Sequence, residues 1–260
     1  MLEDSEHPEP PEALDISRYI GELSHELLNP LHAALGFVQL MATDSEHPMS
    51  RQQREQLARI ESAGYEMLAL IDDIRILSTV GAAPGRRKSA VVDMLAVLES
   101  AVEQARPLAD VYNTALEIEA PDLDSLVLAD PELLQRVVYN LLTNAIQYSR
   151  RNVRTDSTGI PAKVRLGIHR LRGRCRIFVS DNGPGLTRSQ SLSLFEPFQR
   201  IRDTSAHVPG NGLGLAVCEA LMYQMGGTIS VWSSPGRGSS FEIELERIGV
   251  APAASPTAAS

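Results

Sequence analysis

The sequence predicts a helical hairpin followed by a larger domain of mixed α and β structure. Apolar residues recur every three or four positions through residues 14–77, which is the period of an amphipathic helix. The stretch "VGAAPGRRK" then interrupts this pattern, and segments of helical and strand-like periodicity alternate beyond it. We therefore expect a hairpin over residues 13–80, a linker over 81–88 and an α+β domain over 89–248.

Two helices of the hairpin are predicted from the spacing of their apolar residues. The first covers residues 14–41, and the second follows the turn-forming stretch "TDSEHPMS" at residues 43–50. The apolar-face positions, spaced by three or four, are Ile16, Ile20, Leu23, Leu27, Leu31, Leu35, Val38, and then Leu57, Ile60, Gly64, Met67, Ile71, Ile74, Leu77. Because a hairpin alone cannot close a core, whereas two copies make a four-helix bundle, we expect a homodimer. The alternative is a hairpin that packs on the second domain of its own chain.

The second domain alternates predicted helices and strands. Helices are expected over residues 92–108, over 131–148 behind Asp130 as N-cap, and from Leu213 to the glycines at 226 and 227. Strands are expected at residues 115–118, 126–128, 163–168 and 176–180, and in "TISVWS" and "SFEIEL". The last two strands should form a hairpin around "SPGRGS".

Composition limits the possible function classes. Of 260 residues, 43% are hydrophobic and 22% charged, which is enough to build a core. The net charge of -9 disfavours nonspecific nucleic-acid binding, so no nucleic-acid partner is expected. The arginines at 150, 151, 154, 170, 172, 174 and 176 are more typical of a solvated charged face than of a polyanion site.

Other features favour a cytoplasmic protein without direct membrane insertion. Cys175 and Cys218 lack metal-ligand spacing and are expected as buried thiols in a reducing compartment. The apolar window at residues 27–41 is broken by polar residues and a proline, and no signal-peptide pattern opens the chain. Residues 1–12 and 249–260 have the composition of disordered ends. So short a lead implies that a stimulus enters through a sensor or input partner, or through a segment missing from this chain.

The first predicted helix carries an unusual polar segment, "SHELLNPLH". His25 and Glu26 are adjacent, and Asn29 lies one helical turn beyond His25. Pro30 lacks an N–H and crowds the carbonyl of Glu26, so it should bend the helix beside the histidine. A lone histidine on an amphipathic helix is usually solvated or part of the core, so the neighbouring groups carry the functional interpretation.

Amide side chains share one face of the predicted helix at 131–148. Asn140, Asn144 and Gln147 lie at i, i+4 and i+7, beside the apolar stripe formed by Leu134, Val138, Leu141 and Ala145. Amide carbonyls are hard oxygen ligands of the kind that suits Mg²⁺, which usually binds together with a phosphate group. Solvated surface amides are the alternative.

Two glycine-containing motifs follow. In "SDNGPGL", Asp181 ends a predicted strand and could accept a hydrogen bond from an exocyclic amine, while Gly183 and Gly185 let backbone approach a flat ligand. A plain tight turn would use the same residues. In "PGNGLGLA", three glycines (Gly210, Gly212, Gly214) enter a helix whose N-terminal N–H groups suit phosphate oxygens. Neither a P-loop nor a dinucleotide fingerprint is present.

The order NxxxN, DxGxG, "LFEPF" and GxGLGLA resembles the N, G1, F and G2 boxes in the ATP-binding domain of sensor histidine kinases. "SHELLNPL" is similar to the phosphoacceptor box of the same family, so the resemblance covers residues 14–247. It implies a dimerisation hairpin and a Bergerat-type ATP-binding sandwich. It also implies that His25 is the phosphoacceptor, Glu26 the general base and Asn29 a residue linked to dephosphorylation of the partner.

The same resemblance assigns the nucleotide site. Asp181 would bind the adenine amine, and Asn140 and Asn144 would coordinate Mg²⁺ and the phosphates of ATP. Phe195 and Phe198 would pack the base of a lid over residues 199–209, with Arg200 near the γ-phosphate. The remaining implied ATP contacts are Gln147, Tyr148, Gly183, Gly185, Gly210, Gly212, Leu213 and Gly214. Gln147 stands where many relatives carry lysine, so it supplies no positive charge.

Together these features predict a cytoplasmic, dimeric histidine autokinase that passes its phosphoryl group to an aspartate of a response regulator receiver domain, with possible phosphatase activity. A noncatalytic phosphotransfer scaffold or pseudokinase is the main alternative. An ATP-hydrolysing clamp is disfavoured, because the family resemblance implies glutamate at the position of Asn140 in those proteins. The stimulus, the regulator and the choice between transfer within or across protomers stay open.

Overall fold

The computed structural model describes residues 12–44, 47–78, 89–119, 125–155, 161–199 and 211–248, with residues 12–25 and 150–155 described by their backbone alone. The predicted linker, the predicted C-terminal tail and residues 1–11 of the predicted lead lie outside these ranges. The chain divides into two compact units, Met1–Ala82 and Ala83–Ser260.

The first unit is an antiparallel pair of long helices, α1 (Glu12–Thr43) and α2 (Arg51–Ser78), which confirms the predicted hairpin. The buried contact between them includes Leu35, Val38, Leu57 and Ile71. Ser50 and Gln53 form a capping box ahead of α2, because the Ser50 N–H donates to Gln53 Oε1 at 2.9 Å and the Gln53 N–H donates to Ser50 Oγ at 3.2 Å. This box fixes where α2 begins.

The second unit contains seven strands and four helices among its described residues. In chain order they are β1 (Ala90–Asp93), α3 (Met94–Tyr112), β2 (Thr114–Glu119), β3 (Leu126–Ala129), α4 (Pro131–Thr155), β4 (Ala162–Leu171), β5 (Arg174–Asp181), α5 (Arg188–Leu192), α6 (Gly214–Gln224), β6 (Thr228–Ser233) and β7 (Ser239–Glu246). Five strands form one sheet in the order β2-β4-β5-β7-β6, and β1 pairs with β3 in a separate small sheet. Among the strand pairs of the described residues, β2 with β4 is the one parallel pair.

Helices α3, α4 and α6 cover one face of the five-stranded sheet, as an α+β sandwich requires. The side chains between these layers are almost fully buried; the largest include Leu98, Leu134, Leu141, Leu142, Ile146, Leu166, Ile177, Leu221, Met222 and Ile243. Cys175 and Cys218 are free thiols in this core, as predicted.

Ion pairs occupy the opposite face of the sheet. Arg176 pairs with Glu242 at 3.0 Å and with Glu244 at 2.5 Å, and Arg174 pairs with Glu244 at 3.3 Å. The hydrogen bond from Arg176 is the main reason why the pKa of Glu244 lies below its usual range. At these two arginines the structure therefore agrees with a solvated charged face. The side chains of the arginines at 150, 151 and 154 lie outside the described part.

Three sequence predictions need correction. The helix expected from Val92 begins at Met94, because residues 90–93 form strand β1 against β3, and the Asp93 carboxylate caps the helix by accepting from the Leu95 N–H at 3.0 Å. The helix expected to end at Tyr148 continues to Thr155. Helix α5 lies within a region that had been assigned as loop, where Thr187 and Gln190 form a capping box.

Two glycines of the hairpin provide a matched test of its packing. A Cβ added to Gly36 on α1 would meet nothing within 4 Å, whereas one added to Gly64 on α2 would lie 2.6 Å from Leu35 Cδ2. Replacing Gly36 with alanine should raise the free energy of unfolding by about 0.5–1 kcal/mol through helix propensity. Gly64→Ala should lower it, since the buried Leu35 must move. Urea unfolding measures both, and equal stabilisation by the two variants would contradict this packing.

Candidate functional site

Asp181 is a buried carboxyl group at the end of strand β5. Its side chain is 7% exposed, and its Oδ1 accepts a hydrogen bond from the Gly183 N–H at 2.7 Å. Burial raises the pKa of Asp181 to about 6, and backbone hydrogen bonds from Gly183 and Ser239 oppose that rise. A carboxylate that has lost most of its water is a strong acceptor for a ligand donor such as an aromatic amine.

The loop after Asp181 is packed too closely on its neighbours to be a plain tight turn. A Cβ at Gly183 would lie 2.6 Å from Asp181 Oδ1 and 2.8 Å from the carbonyl oxygen of Tyr148 on α4. Gly185, at φ +68°, would place a Cβ 2.0 Å from the carbonyl oxygen of Ser234. These glycines hold the loop between α4 and the turn that joins β6 to β7.

Helix α4 presents the predicted amides beside its buried face. Asn140, Asn144 and Gln147 are half-buried. The predicted apolar stripe is confirmed as buried, with Leu134, Val138, Leu141 and Ala145 at 1% exposure or less. Val137, Leu142 and Ile146 are also buried, so the packed face is wider than the stripe. Tyr148 is half-buried one turn after Asn144, and its carbonyl oxygen lies close to Gly183, where an added Cβ would be 2.8 Å away.

Helix α6 begins at Gly214, behind a short bend. The Leu213 N–H donates to Asn211 Oδ1 at 3.0 Å, Gly212 has φ +74°, and Leu213 is fully buried. No side chain among the described residues caps the helix at Leu213. A Cβ at Gly214 would meet nothing within 4 Å, so described neighbours do not require glycine there. These features leave the start of α6 suited to phosphate oxygens.

The two aromatic residues of "LFEPF" differ in their surroundings. Phe195 is half-buried, and Phe198 is 67% exposed at φ +63°. The Phe198 N–H donates to the Gly212 carbonyl at 3.0 Å. This bond joins the two ends of the segment that contains the predicted lid. Arg200, Gly210 and lid residues 200–209 lie outside the described part.

The phosphoacceptor segment lies on α1. The backbone of His25 is helical, and its side chain lies outside the described part. Glu26, Asn29 and His32 are all exposed, and α1 continues through Pro30. The carboxylate and the amide next to His25 are therefore open to a reaction partner.

The structure also reveals residues of the nucleotide region that the sequence predictions missed. Ser239 contributes a backbone hydrogen bond to the carboxyl group of Asp181. A Cβ at Gly238, which has φ +82°, would lie 1.9 Å from the Asp181 carbonyl oxygen. The two glycines of "SPGRGS" were the available signal, but they were interpreted only as parts of a hairpin turn.

Metal and membrane features were sought in the described residues. No group of three histidine, cysteine, aspartate or glutamate side chains in that part of the chain could hold a metal ion. The half-buried amide oxygens on α4 fit a hard cation that also binds phosphate. None of the helices within the described ranges is both long and apolar enough to cross a membrane.

Two family models match the chain. The His Kinase A (phospho-acceptor) domain matches residues 15–83, and the histidine kinase-, DNA gyrase B- and HSP90-like ATPase domain matches residues 129–248. These matches cover the hairpin and most of the sandwich in the order that the sequence predicted. The chain belongs to the sensor histidine kinases and contains their catalytic core.

Individual relatives agree with this assignment. Sensor histidine kinase GacS of Pseudomonas protegens is 30% identical over 240 residues, covering 90% of this chain and 25% of GacS. A crystal structure of full-length ShkA in complex with AMPPNP is 27% identical with a TM-score of 0.74, covering 91% of this chain and 47% of ShkA. A complex of histidine kinase ThkA with response regulator protein TrrA has a TM-score of 0.57 at 16% identity, covers 91% of this chain and 64% of ThkA, and shows the fold alone. The chain spans between about a quarter and two fifths of the length of these curated relatives.

Asp181→Asn tests the burial of this carboxyl group. Because its pKa is about 6 when folded and 3.8 by reference, the folded state binds the proton more tightly. The free energy of unfolding therefore falls as pH rises from 4 to 6, by about 2 of the roughly 3 kcal/mol that complete titration of this group would remove. Asparagine does not ionise, so the variant avoids this loss of stability. It should be more stable than the parent at pH 7, and at pH 4 the two proteins should differ little.

Urea unfolding of both proteins at the two pH values measures this difference. Asp110→Asn, at an exposed position on α3, is the matched control for loss of a surface carboxylate and should change stability by no more than about 0.5 kcal/mol. If Asp181→Asn is destabilised equally at pH 4 and pH 7, burial of the charged Asp181 carboxylate does not lower the stability of the parent.

Proposed function

We propose that this chain is an ATP-dependent protein-histidine autokinase that phosphorylates His25 and passes the phosphoryl group to an aspartate of a response regulator. One observation carries the proposal. The chain combines a helical hairpin, with Glu26 and Asn29 exposed beside His25, and a sandwich with the buried Asp181 at a nucleotide-type site. ThkA, which shares the fold, forms a complex with a response regulator protein, and this supports the choice of partner.

ATP is the proposed phosphoryl donor. The Asp181 carboxylate would accept from the adenine amine, with Gly183 and Gly185 keeping the loop close to the base and Tyr148 beside it. The N–H groups of Gly212 and Gly214 would face phosphate oxygens, while the Leu213 N–H holds the bend through Asn211. The complex of ShkA with AMPPNP, an ATP analogue, supports this assignment. Phe195, Phe198, Arg200 and Gly210 remain predicted contacts of the lid and the glycine box.

Asn140 and Asn144 are the proposed Mg²⁺ ligands on α4. Their amide oxygens are half-buried on a helix whose opposite face is fixed in the core, so both have a rigid support. When bound, Mg²⁺ would neutralise charge on the phosphates of ATP. Gln147 can contribute an amide hydrogen bond without the positive charge that a lysine would bring.

His25 would attack the γ-phosphorus through one imidazole nitrogen. The new P–N bond forms as the bond from γ-phosphorus to the β,γ-bridging oxygen breaks, and ADP leaves with that oxygen. Glu26, next in the chain and exposed, would accept the proton from the other ring nitrogen or hold it in place. Asn29 would act in a separate hydrolytic step, by orienting a water that attacks the aspartyl phosphate of the regulator and releases inorganic phosphate.

The alternatives predict different chemistry. Amide Asn140 cannot act as a base for water, so bound ATP should survive until His25 reaches it. Burial of the Asp181 carboxyl group, which is 7% exposed, disfavours its charged form and raises its pKa. A noncatalytic scaffold would gain nothing from this cost, whereas a nucleotide site uses the carboxylate. The ATP requirement and the two free buried thiols fit the cytoplasm. A sensor or input partner would act on the hairpin.

A homodimer is the proposed working form. Leu31, Leu35, Val38, Ile60 and Met67 are among the residues that line an apolar groove of about 280 Å³ on the hairpin. Ile60 is 57% and Met67 54% exposed, which is unusual for large apolar side chains beside a groove. A second copy of the hairpin would cover them and complete a four-helix bundle.

Labelling with γ-labelled ATP and Mg²⁺ tests the kinase. The parent should gain acid-labile, alkali-stable label, because a phosphoramidate is cleaved in acid, and His25→Gln should gain none. His32→Gln, exposed seven residues along the same helix, is the matched control and should label normally. Chelation of Mg²⁺ should abolish label. Acid-stable label on the parent would refute a phosphohistidine, and label on His25→Gln would place the acceptor elsewhere.

Met67→Glu tests the dimer. A carboxylate placed in the apolar groove of each copy should oppose association, and sedimentation velocity should show a shift from dimer to monomer. Glu66→Gln, at the exposed neighbouring position, should leave the parent's association unchanged. A Met67→Glu protein that associates as tightly as the parent would refute the groove as the interface.

A further inference from the structure

The turn between β6 and β7 is bonded directly to the loop that follows Asp181. The Gly236 N–H donates to the Pro184 carbonyl at 2.7 Å. The Leu186 N–H donates to Ser233 Oγ at 2.8 Å. These two bonds attach the middle and the end of the loop to the turn, so the position of one depends on the other.

Ser233 uses all the hydrogen-bonding capacity of its hydroxyl group. Besides accepting from Leu186, its Oγ donates to the Gly238 carbonyl at 2.8 Å and lies 2.9 Å from Ser239 Oγ. A hydroxyl group has one donor and two acceptor sites, so the Ser239 hydroxyl supplies the third bond. Ser233 and Ser239 are also register partners of β6 and β7. A single side chain therefore fixes both ends of the turn.

The same turn reaches the Asp181 carboxyl group. Gly238 packs against the Asp181 carbonyl oxygen, where a Cβ would lie 1.9 Å away, and the Ser239 backbone hydrogen-bonds the carboxyl group. A shift of residues 238 and 239 would therefore move a hydrogen-bond donor away from that carboxylate. Ser233 does not touch the carboxylate itself, so any effect on it passes through the turn.

We propose that Ser233 is a positioning residue for adenine recognition, because its hydroxyl group fixes the turn that orients the Asp181 carboxylate and the loop beside it. The inference rests on the proposed binding of ATP at this site. It concerns only the base-binding end of the site, and neither His25 nor the Mg²⁺ ligands take part in it.

Calorimetric titration of the full chain with ADP tests the role without any need for turnover. Ser233→Ala should weaken ADP affinity about tenfold, because the turn that positions the carboxylate loses all three hydrogen bonds of the Ser233 hydroxyl group. Ser233→Thr keeps the hydroxyl group and should restore affinity to within about threefold of the parent. Ser230→Ala, at an exposed position on the same strand, is the matched control and should bind as the parent does.

The pH profile separates positioning from a purely structural role. ADP affinity of the parent should rise with pH through the Asp181 pKa of about 6, and Ser233→Ala should move that midpoint upward, because the carboxylate loses a donor. A folded Ser233→Ala protein with the parent's affinity and midpoint would overturn the proposal. If that variant does not fold, Ser233→Cys repeats the test, and failure of both to fold would assign Ser233 to stability alone. Failure of the parent to bind ADP would instead refute the proposed function.

Discussion

The burial of one carboxyl group governs the architecture of the nucleotide region. Asp181 ends a central strand, and its desolvation is tolerated because backbone N–H groups from two directions hydrogen-bond it. One donor comes from its own loop and the other from the last hairpin of the sheet. The loop, helix α4 and the β6–β7 turn must therefore be placed together, and the close-packed glycines at 183, 185 and 238 are what this arrangement requires.

The two units contribute different chemistry. In the sandwich, the polar groups assigned to nucleotide are buried or half-buried and are supported by a core on one side of the sheet. On the hairpin, Glu26 and Asn29 are exposed, which suits the proposed role of this segment in meeting other groups. The proposed nucleotide site and the proposed phosphoacceptor segment are thus built on separate units of the chain.

Sequence alone predicted the elements whose periodicity is unambiguous. The hairpin helices, the buried stripe of α4 and the final strand pair follow from apolar spacing and were found as expected. Strand β1 was missed because four residues are too few to distinguish the helical period from the strand period. The strand is defined by its pairing with β3, more than thirty residues away. The hydrogen bond from Phe198 to Gly212 and the one from the Ser239 backbone to Asp181 also depend on distant contacts, which spacing does not encode.

The backbone bond between Phe198 and Gly212 has a consequence for how this domain can diversify. The bond links the residue that precedes residues 199–211 to the residue that follows them, so this stretch is the loop that the bond closes. Doubling the length of such a loop costs only about 0.6 kcal/mol in closure entropy. A change in the length of this stretch should therefore leave the strand registration of the sandwich intact.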